Sequence, residues 1–225
     1  MKIKDNKMEL TLLQLCLLLK PLTEELYFVG GCVRDMVLGK EPNDIDLVLG
    51  QSVHGLFKDN YMEDIEHVLK EQGWSVNSVG KNFLIIFASK NGYQFEIAIF
   101  RQDSTTTIDG RHPDSVEVGT ITKDSERRDF VFNALYYNPF NGDVLDPTKL
   151  GIKAIQDKQI VFCGKASQRI KEDFLRVMRA YRFSSQLGFE IPSKTLRLLR
   201  SNFNEAVSTL PPERIRLELE KIVGI

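Results

Sequence analysis

The sequence is short of cysteine and histidine, has a single tryptophan, and contains no apolar run long enough for a bilayer. Cys16, Cys32 and Cys163 are odd in number and far apart. They supply neither a disulfide framework nor a zinc knuckle, and they fit a reducing compartment with no disulfide-linked partner. The most apolar early stretch, Leu10 to Leu19, is interrupted by Thr11, Gln14 and Cys16, and falls well short of the roughly 20 residues a membrane helix needs. Nothing ahead of it has the charge order of a cleavable signal peptide. The expectation is a soluble, cytoplasmic protein with no membrane partner. His54, His67 and His112 are scattered and give no metal-binding or general-base pattern. The dinucleotide fingerprint Gly-x-Gly-x-x-Gly and the P-loop Gly-Lys-Ser/Thr are both missing, which argues against a nicotinamide dehydrogenase and a P-loop ATPase.

What is present is a chain of 225 residues, 42% hydrophobic, long enough to bury a core without staples. Its net charge of −1 excludes a basic coat spread over the whole chain. The charge is uneven, however. From Lys165 to Ile225 there are 12 Lys and Arg against 7 Asp and Glu, which leaves residues 1–164 acidic. An acidic front and a basic tail suit a metal-handling unit joined to a surface that tolerates an anionic substrate, although a solvated helical face gives the same count.

Residue patterns predict mixed strand and helix in the front half. Helices are expected over Met8–Lys20, stopped by Pro21, then Cys32–Leu38 and Tyr61–Gln72. Strands are expected over Leu26–Val29, Asp44–Leu49, Trp74–Val79, Asn82–Ala88 and Gln94–Phe100, the last two joined by a hairpin at Lys90-Asn91-Gly92. Residues Gly50–Asn60 and Asp103–Thr120 read as loops, the second as a long loop or weak ribbon. Asp129–Leu135 has local helical character and Asn138–Asp143 reads as a turn. Beyond Asp146-Pro147 the period is helical, with helices over Ser167–Leu187, Pro192–Arg200 and Pro211–Val223.

Asp44 and Asp46 share one side of their expected strand, with Ile45 and Leu47 on the other. Carboxylates this close repel unless a cation neutralises them, and hard oxygen donors suit magnesium completed by substrate phosphates. The same spacing also occurs on solvated strand ends. Gly30-Gly31 between a strand and a helix can bring backbone N–H groups to a phosphate, with Arg34 as a donor fork on the first turn. Glu96 stands in the apolar run Phe95–Ile99, where burying a carboxylate costs several kcal/mol unless it is compensated or that sheet face reaches solvent.

These residues belong to an ordered set that resembles a known family. The set is Val29-Gly30-Gly31-Cys32-Val33-Arg34-Asp35, Asp44-Ile45-Asp46, Glu96 to Arg101, Gly110-Arg111-His112-Pro113 and Arg127-Arg128-Asp129-Phe130-Val131-Phe132-Asn133-Ala134. It continues with Glu172-Asp173-Phe174-Leu175-Arg176, Arg179, Arg182-Phe183 and Pro212-Glu213-Arg214-Ile215. Together they resemble the nucleotidyltransferase family containing tRNA CCA-adding enzymes and bacterial poly(A) polymerases, over about Tyr27 to Val223.

The resemblance implies an α+β fold: a small mixed-sheet catalytic head, residues 1–146, followed by an all-helical neck, residues 147–225. It implies two Mg2+ ions held by Asp44, Asp46 and Glu96, with Gly30, Gly31 and Arg34 around an incoming triphosphate. Arg127, Arg128, Asp129 and Asn133 match the motif near the sugar and phosphates. Asp173 and Arg176 match the pair that reads the base edge of CTP or ATP, and Arg179 a supporting position. Three residues apart on one expected helix, Asp173 and Arg176 would lie on neighbouring faces. Arg176, Arg179 and Arg182 drift by about 60° per step of three, so they do not all face one pocket. The implied partner is an RNA primer, such as a tRNA 3′ end. Addition of CCA, of A alone, or of a poly(A) tail shares this chemistry, and Tyr136-Tyr137-Asn138 also resembles the polymerase branch. A catalytically silent nucleotide- or RNA-binding module is the alternative of another class. Full-size members continue past the neck, so the resemblance leaves tRNA selectivity open.

Overall fold

A computed structural model describes residues 5–50, 60–77, 84–103 and 116–224. The motif at Gly110–Pro113 and the histidines His54 and His112 lie outside the described residues. Helix α1 (Asn6–Leu19) starts where the Asp5 carboxylate accepts from Lys7 N and Met8 N, and it buries Leu12, Leu15, Cys16 and Leu19. The chain then tightens into a 3-10 turn, Lys20–Leu22, around Pro21. Strand β1 (Leu26–Val29) leads into α2 (Gly31–Val37), β2 (Asp46–Leu49) and α3 (Tyr61–Glu71). Strands β3 (Ser75–Asn77), β4 (Ile85–Lys90) and β5 (Tyr93–Ile99) follow. The turn between β4 and β5 is the expected two-residue loop: Asn91 and Gly92 both have positive φ, and Lys90 pairs with Tyr93.

Seven strands make one mixed sheet in the order β3-β4-β5-β2-β1-β8-β9, where β8 is Tyr136–Tyr137 and β9 is Val144–Leu145. β2 and β5 run parallel, and the other neighbours are antiparallel. Period-2 alternation gives the sheet two unlike faces. One face sends Phe28, Leu47, Leu49, Phe95, Ile97 and Ile99 into the main core with α1 and α3. The other carries a small cluster of Val29, Val48, Phe100 and Tyr136, and the half-buried Asp46 and Glu96.

Between β5 and the neck lie a short ribbon, β6 (Arg101–Asp103) with β7 (Val116–Val118), and α4 (Ile121–Arg127). A 3-10 turn over Val131–Asn133 precedes β8. Every strand precedes residue 146. After it come α5 (Gly151–Gln156), α6 (Ala166–Glu172), α7 (Leu175–Leu187), α8 (Ser193–Thr209) and α9 (Pro212–Val223). The main core does not stop at this change of class. Phe130 and Phe132 stack at 5.3 Å and meet the edge of Phe183 at 5.6 and 5.5 Å, which seats the neck on the head. Among the described residues no helix is long and apolar enough to cross a membrane.

Four expectations change. The strand expected from Asp44 begins at Asp46, because Asn43 and Asp44 form a bend. Neither α4 nor the β8–β9 hairpin was anticipated, though the Asn138–Asp143 turn that joins the two strands was. The helix expected to stop at Arg200 runs on to Thr209, burying Leu199 and Ala206. The helix expected over Ser167–Leu187 is broken at Asp173, whose backbone is extended (φ −151°, ψ 107°). There the Asp173 carboxylate accepts from Leu175 N at 3.0 Å, a local bond that competes with helix continuation.

The start of α5 packs closely on the head. A methyl group on Gly151 would lie 2.5 Å from the Val131 carbonyl oxygen and 2.7 Å from Leu135 Cδ2. Gly151→Ala is expected to destabilise the protein by about 1–3 kcal/mol, the usual cost of overpacking. Chemical denaturation measures it, and an unchanged midpoint would mean that α5 is free to move off the 3-10 turn.

Candidate active site

Sheet topology gathers most of the predicted residues at one end of the strands. β1 runs into Gly30, whose φ of 82° and ψ of −132° favour glycine whatever space surrounds it. β2 is antiparallel to β1 with Asp46 opposite Val29, so its first residue lies beside this turn. β5 is parallel to β2 with Glu96 opposite Asp46. Paired residues of neighbouring strands point to the same face, roughly 4.8 Å apart along the hydrogen-bonding direction. Two carboxylates therefore stand side by side, with the exposed Asp44 on the bend just before them. Burial and the charge of Glu96 push the Asp46 carboxyl up to about 6; Arg128 pulls the other way, and Asp44 adds to the rise.

Arg128 approaches the glycine turn closely: a methyl group on Gly30 would be 3.6 Å from its Nη1. It is fixed from below by Asp124, a carboxylate with 0% exposure. Asp124 accepts from Arg128 Nε at 3.0 Å, Arg127 Nε at 2.9 Å and the Tyr136 hydroxyl at 2.7 Å. Burial works against its charge, but Arg128 and Arg127 prevail and hold the carboxyl below its ordinary range.

A second chain of polar contacts leads into the neck. Arg34 donates from Nε to Asp35 at 2.8 Å and from Nη1 to Asn133 at 3.1 Å. Asn133 donates to Asp129 at 3.3 Å, and Asp129 accepts from Arg179 Nε at 2.7 Å. Burial opposes the Asp129 charge, yet Arg179 holds this carboxyl low. Glu218 of α9 bonds Arg182 at 2.5 Å and lies 3.8 Å from Arg179. Arg34, Arg179 and Arg182 all lie over the ring of Phe183, at 5.4, 5.3 and 4.0 Å from its centre.

The side chains of Asp173 and Arg176 take different partners. Asp173 faces Arg214 at 3.5 Å, while Arg176 bonds Glu172 at 3.0 Å and the Arg169 carbonyl at 2.6 Å. Their backbones do meet, Arg176 N donating to the Asp173 carbonyl at 3.1 Å. As the 60° drift requires, Arg182 turns to Glu218 and Gln186, away from Arg176. Three working residues escaped the sequence reading: Asp124, Arg169 and Glu218. Asp124 had a signal, since it precedes Arg127 and Arg128 by three and four residues, the spacing of helical ion pairs. Arg169 had the weaker signal of Glu172 three residues on, but its carbonyl partners and the arginine partners of Glu218 are remote in sequence.

The donor set fits a hard divalent cation: three carboxylates, two in register, with the Asp46 carboxyl raised by burial and by Glu96. Among the described residues, no three His, Cys, Asp or Glu side chains draw close enough to clasp a metal by themselves. Magnesium keeps several waters and takes phosphate oxygens, so a pair with a nearby third carboxylate suffices. Cys16, Cys32 and Cys163 are buried and unpaired, with burial pushing each thiol up to about 12, and His67 is exposed beside Glu71.

Residues 26–161, more than half of the chain, match the family described as the Poly A polymerase head domain. The chain belongs to that family. Among its relatives, the CCA-adding enzyme of Leuconostoc citreum is 36% identical over 203 residues, covering 88% of this chain and 45% of that enzyme. The CCA-adding enzyme of Lactiplantibacillus plantarum is 37% identical with the same coverage. The crystal structure of the Bacillus stearothermophilus CCA-adding enzyme in complex with CTP aligns over 99% of this chain and 49% of its own, at TM-score 0.79 and 29% identity. A tRNA nucleotidyltransferase complexed with a primer tRNA and an incoming ATP analog aligns over 87% and 52%, at TM-score 0.67 and 27% identity. This poly(A) polymerase head-domain protein spans about half the length of the relatives it matches, and shares their α+β head-and-neck fold.

The raised Asp46 carboxyl sets a pH dependence. Its folded pKa, about 6, exceeds the ordinary 3.8, so its contribution is complete below about pH 4 and is lost as pH rises through 6. In EDTA, Asp46→Asn should therefore stabilise the protein, by a margin that opens between pH 4 and 6 and levels near 2–3 kcal/mol above pH 7. Added Mg2+ should narrow the margin. Urea denaturation across that range is the measurement, and a pH-independent difference would show that Asp46 is not strained by its neighbours.

Proposed function

We propose that this chain is a template-independent RNA 3′-terminal nucleotidyltransferase that adds CCA, or part of it, to tRNA from CTP and ATP with release of pyrophosphate. The carrying observation is the register pair Asp46–Glu96 beside the Gly30 turn, a carboxylate pair in want of a cation next to backbone suited to a triphosphate. The CCA-adding relatives and the neighbours bound to CTP or to a primer tRNA support the choice of substrates. Asp44, Asp46 and Glu96 would hold two magnesium ions, which when bound acidify the primer 3′-hydroxyl and neutralise the triphosphate. The division into a catalytic head, 1–146, and a base-reading neck, 147–225, belongs to the same proposal. So does a cytoplasmic location, supported by three free cysteines.

In this mechanism the primer hydroxyl attacks the α-phosphorus, and the bond to pyrophosphate breaks. Gly30 and Gly31 present backbone to the triphosphate, and Arg34 and Arg128 offset its charge from two sides. Asp129 and Asn133 hold Arg34 and Arg179 in place near the sugar. Asp173 and Arg176 offer an acceptor and a donor fork to the base edge, which carries its identity as a pattern of donors and acceptors. Positioning and charge neutralisation carry the acceleration, so no serine or cysteine nucleophile takes part.

The test is a tRNA ending before CCA, incubated with Mg2+ and with CTP and ATP singly and together. The expected product is C-C-A. Addition of A alone or of an unlimited A tail would replace that specificity with one of the other two activities, and no extension of any primer would leave a binding module. Asp46→Ala should abolish incorporation with circular dichroism unchanged.

A further inference from the structure

We propose that Arg169 is a positioning residue that latches the neck onto the end of α4 and so fixes Arg128 beside Asp46. The inference rests on the reaction proposed above and adds a residue outside its substrate-facing set. Arg169 lies on α6, with 11% of its side chain exposed. Its Nη2 donates to two successive backbone carbonyls, those of Arg127 and, at 3.0 Å, Arg128. Its Nη1 donates to Glu172. The last carbonyls of a helix lack partners within it and carry the negative end of its dipole, so a guanidinium placed there satisfies both.

Two arginines share this joint. Arg176 reaches the Arg127 carbonyl at 3.4 Å and, at 3.0 Å, the same Glu172 that Arg169 holds. To offer its fork to a base, Arg176 must exchange at least one of these contacts. Two of the three Arg169 acceptors are backbone carbonyls, so its hold on the segment does not depend on Glu172. The side chains of Arg127 and Arg128 are held by Asp124 and their carbonyls by Arg169, so the segment is gripped on both sides. With Arg169 in place, Arg176 can re-pair without releasing Arg128 from the carboxylates.

The test compares Arg169→Lys, Arg169→Ala and Arg176→Ala in primer extension, with rates corrected for the folded fraction from thermal melts. Both Arg169 variants should lower kcat, Arg169→Ala by about 10- to 100-fold, as expected for a displaced catalytic segment. KM for CTP and for ATP should stay within about threefold. The loss should be equal for the two nucleotides, and lysine should rescue it in part, since one ammonium cannot span two carbonyls as the fork does. Arg176→Ala should instead change the CTP-to-ATP ratio. Unchanged kcat per folded molecule, a loss confined to KM, or a changed nucleotide ratio in Arg169→Ala would overturn the assignment. If the wild type extends no primer, the proposed reaction fails on its own, and hydrogen exchange over residues 121–134 decides for Arg169. Faster exchange there in Arg169→Ala, with α2 and β5 unaffected, supports the latch, and unchanged exchange overturns it.

Discussion

Two carboxylates at matching positions on parallel neighbouring strands repel one another, and the arrangement around Asp46 and Glu96 follows from that repulsion. At about 5 Å and an effective dielectric near 20, two like charges cost roughly 3 kcal/mol. The Asp46 carboxyl rises to about 6, by burial first and the charge of Glu96 second. Main-chain pairing on both sides of β2 fixes the register, so the side chains have little freedom to separate. The strain can be lowered only by positive charge brought from outside the sheet. Arg128 supplies part of it. Asp124 binds both Arg127 and Arg128, and Arg128 still lies close enough to lower the Asp46 pKa.

The neck is registered to this centre by packing and by charge together. Phe183 sits in the aromatic cluster of Phe130 and Phe132 and carries three guanidinium groups around its ring. The chain Arg34–Asn133–Asp129–Arg179 ties the glycine-turn helix to α7, and Glu218 extends it to α9. Breaking a buried pair by removing one partner costs about 3–5 kcal/mol, because the other charge is left uncompensated. Such a chain therefore resists sliding of the neck over the head more strongly than apolar packing alone would.

Much of this was legible from residue order. The Asn91-Gly92 hairpin and the strand–glycine–helix unit at Val29–Arg34 follow from local rules of period and turn chemistry. What escaped depends on partners remote in sequence. β8 and β9 are two residues each, too short for any period to register, and exist because β1 offers an edge. The break at Asp173 escaped because Asp is tolerated in a helix by propensity; only its bond to Leu175 N and the departure of α7 toward α9 make the extended conformation the better one. Parallel pairing of β2 with β5, which sets Asp46 against Glu96, is a matter of topology that no local pattern encodes.

The break also sorts the arginines of the neck into fixed and exchangeable. On one continuous helix Asp173 and Arg176 would be free to pair with each other and close the base edge from both sides. Separated, Asp173 keeps a contact to Arg214 at 3.5 Å across a surface where Arg214 is 43% exposed. Such a pair is worth about 1 kcal/mol at most. Arg176 reaches Arg127 with a long bond of 3.4 Å. These two contacts are weak, but Arg176 also donates to the Arg169 carbonyl at 2.6 Å and to Glu172 at 3.0 Å. Arg179 is the opposite case, bound to Asp129 at 2.5 Å where the carboxylate is 11% exposed, and trading that bond would strand a buried charge. In the proposed reaction, selection of a base falls to the residues beside the break, and support of the joint to Arg169 before it and Arg179 beyond it.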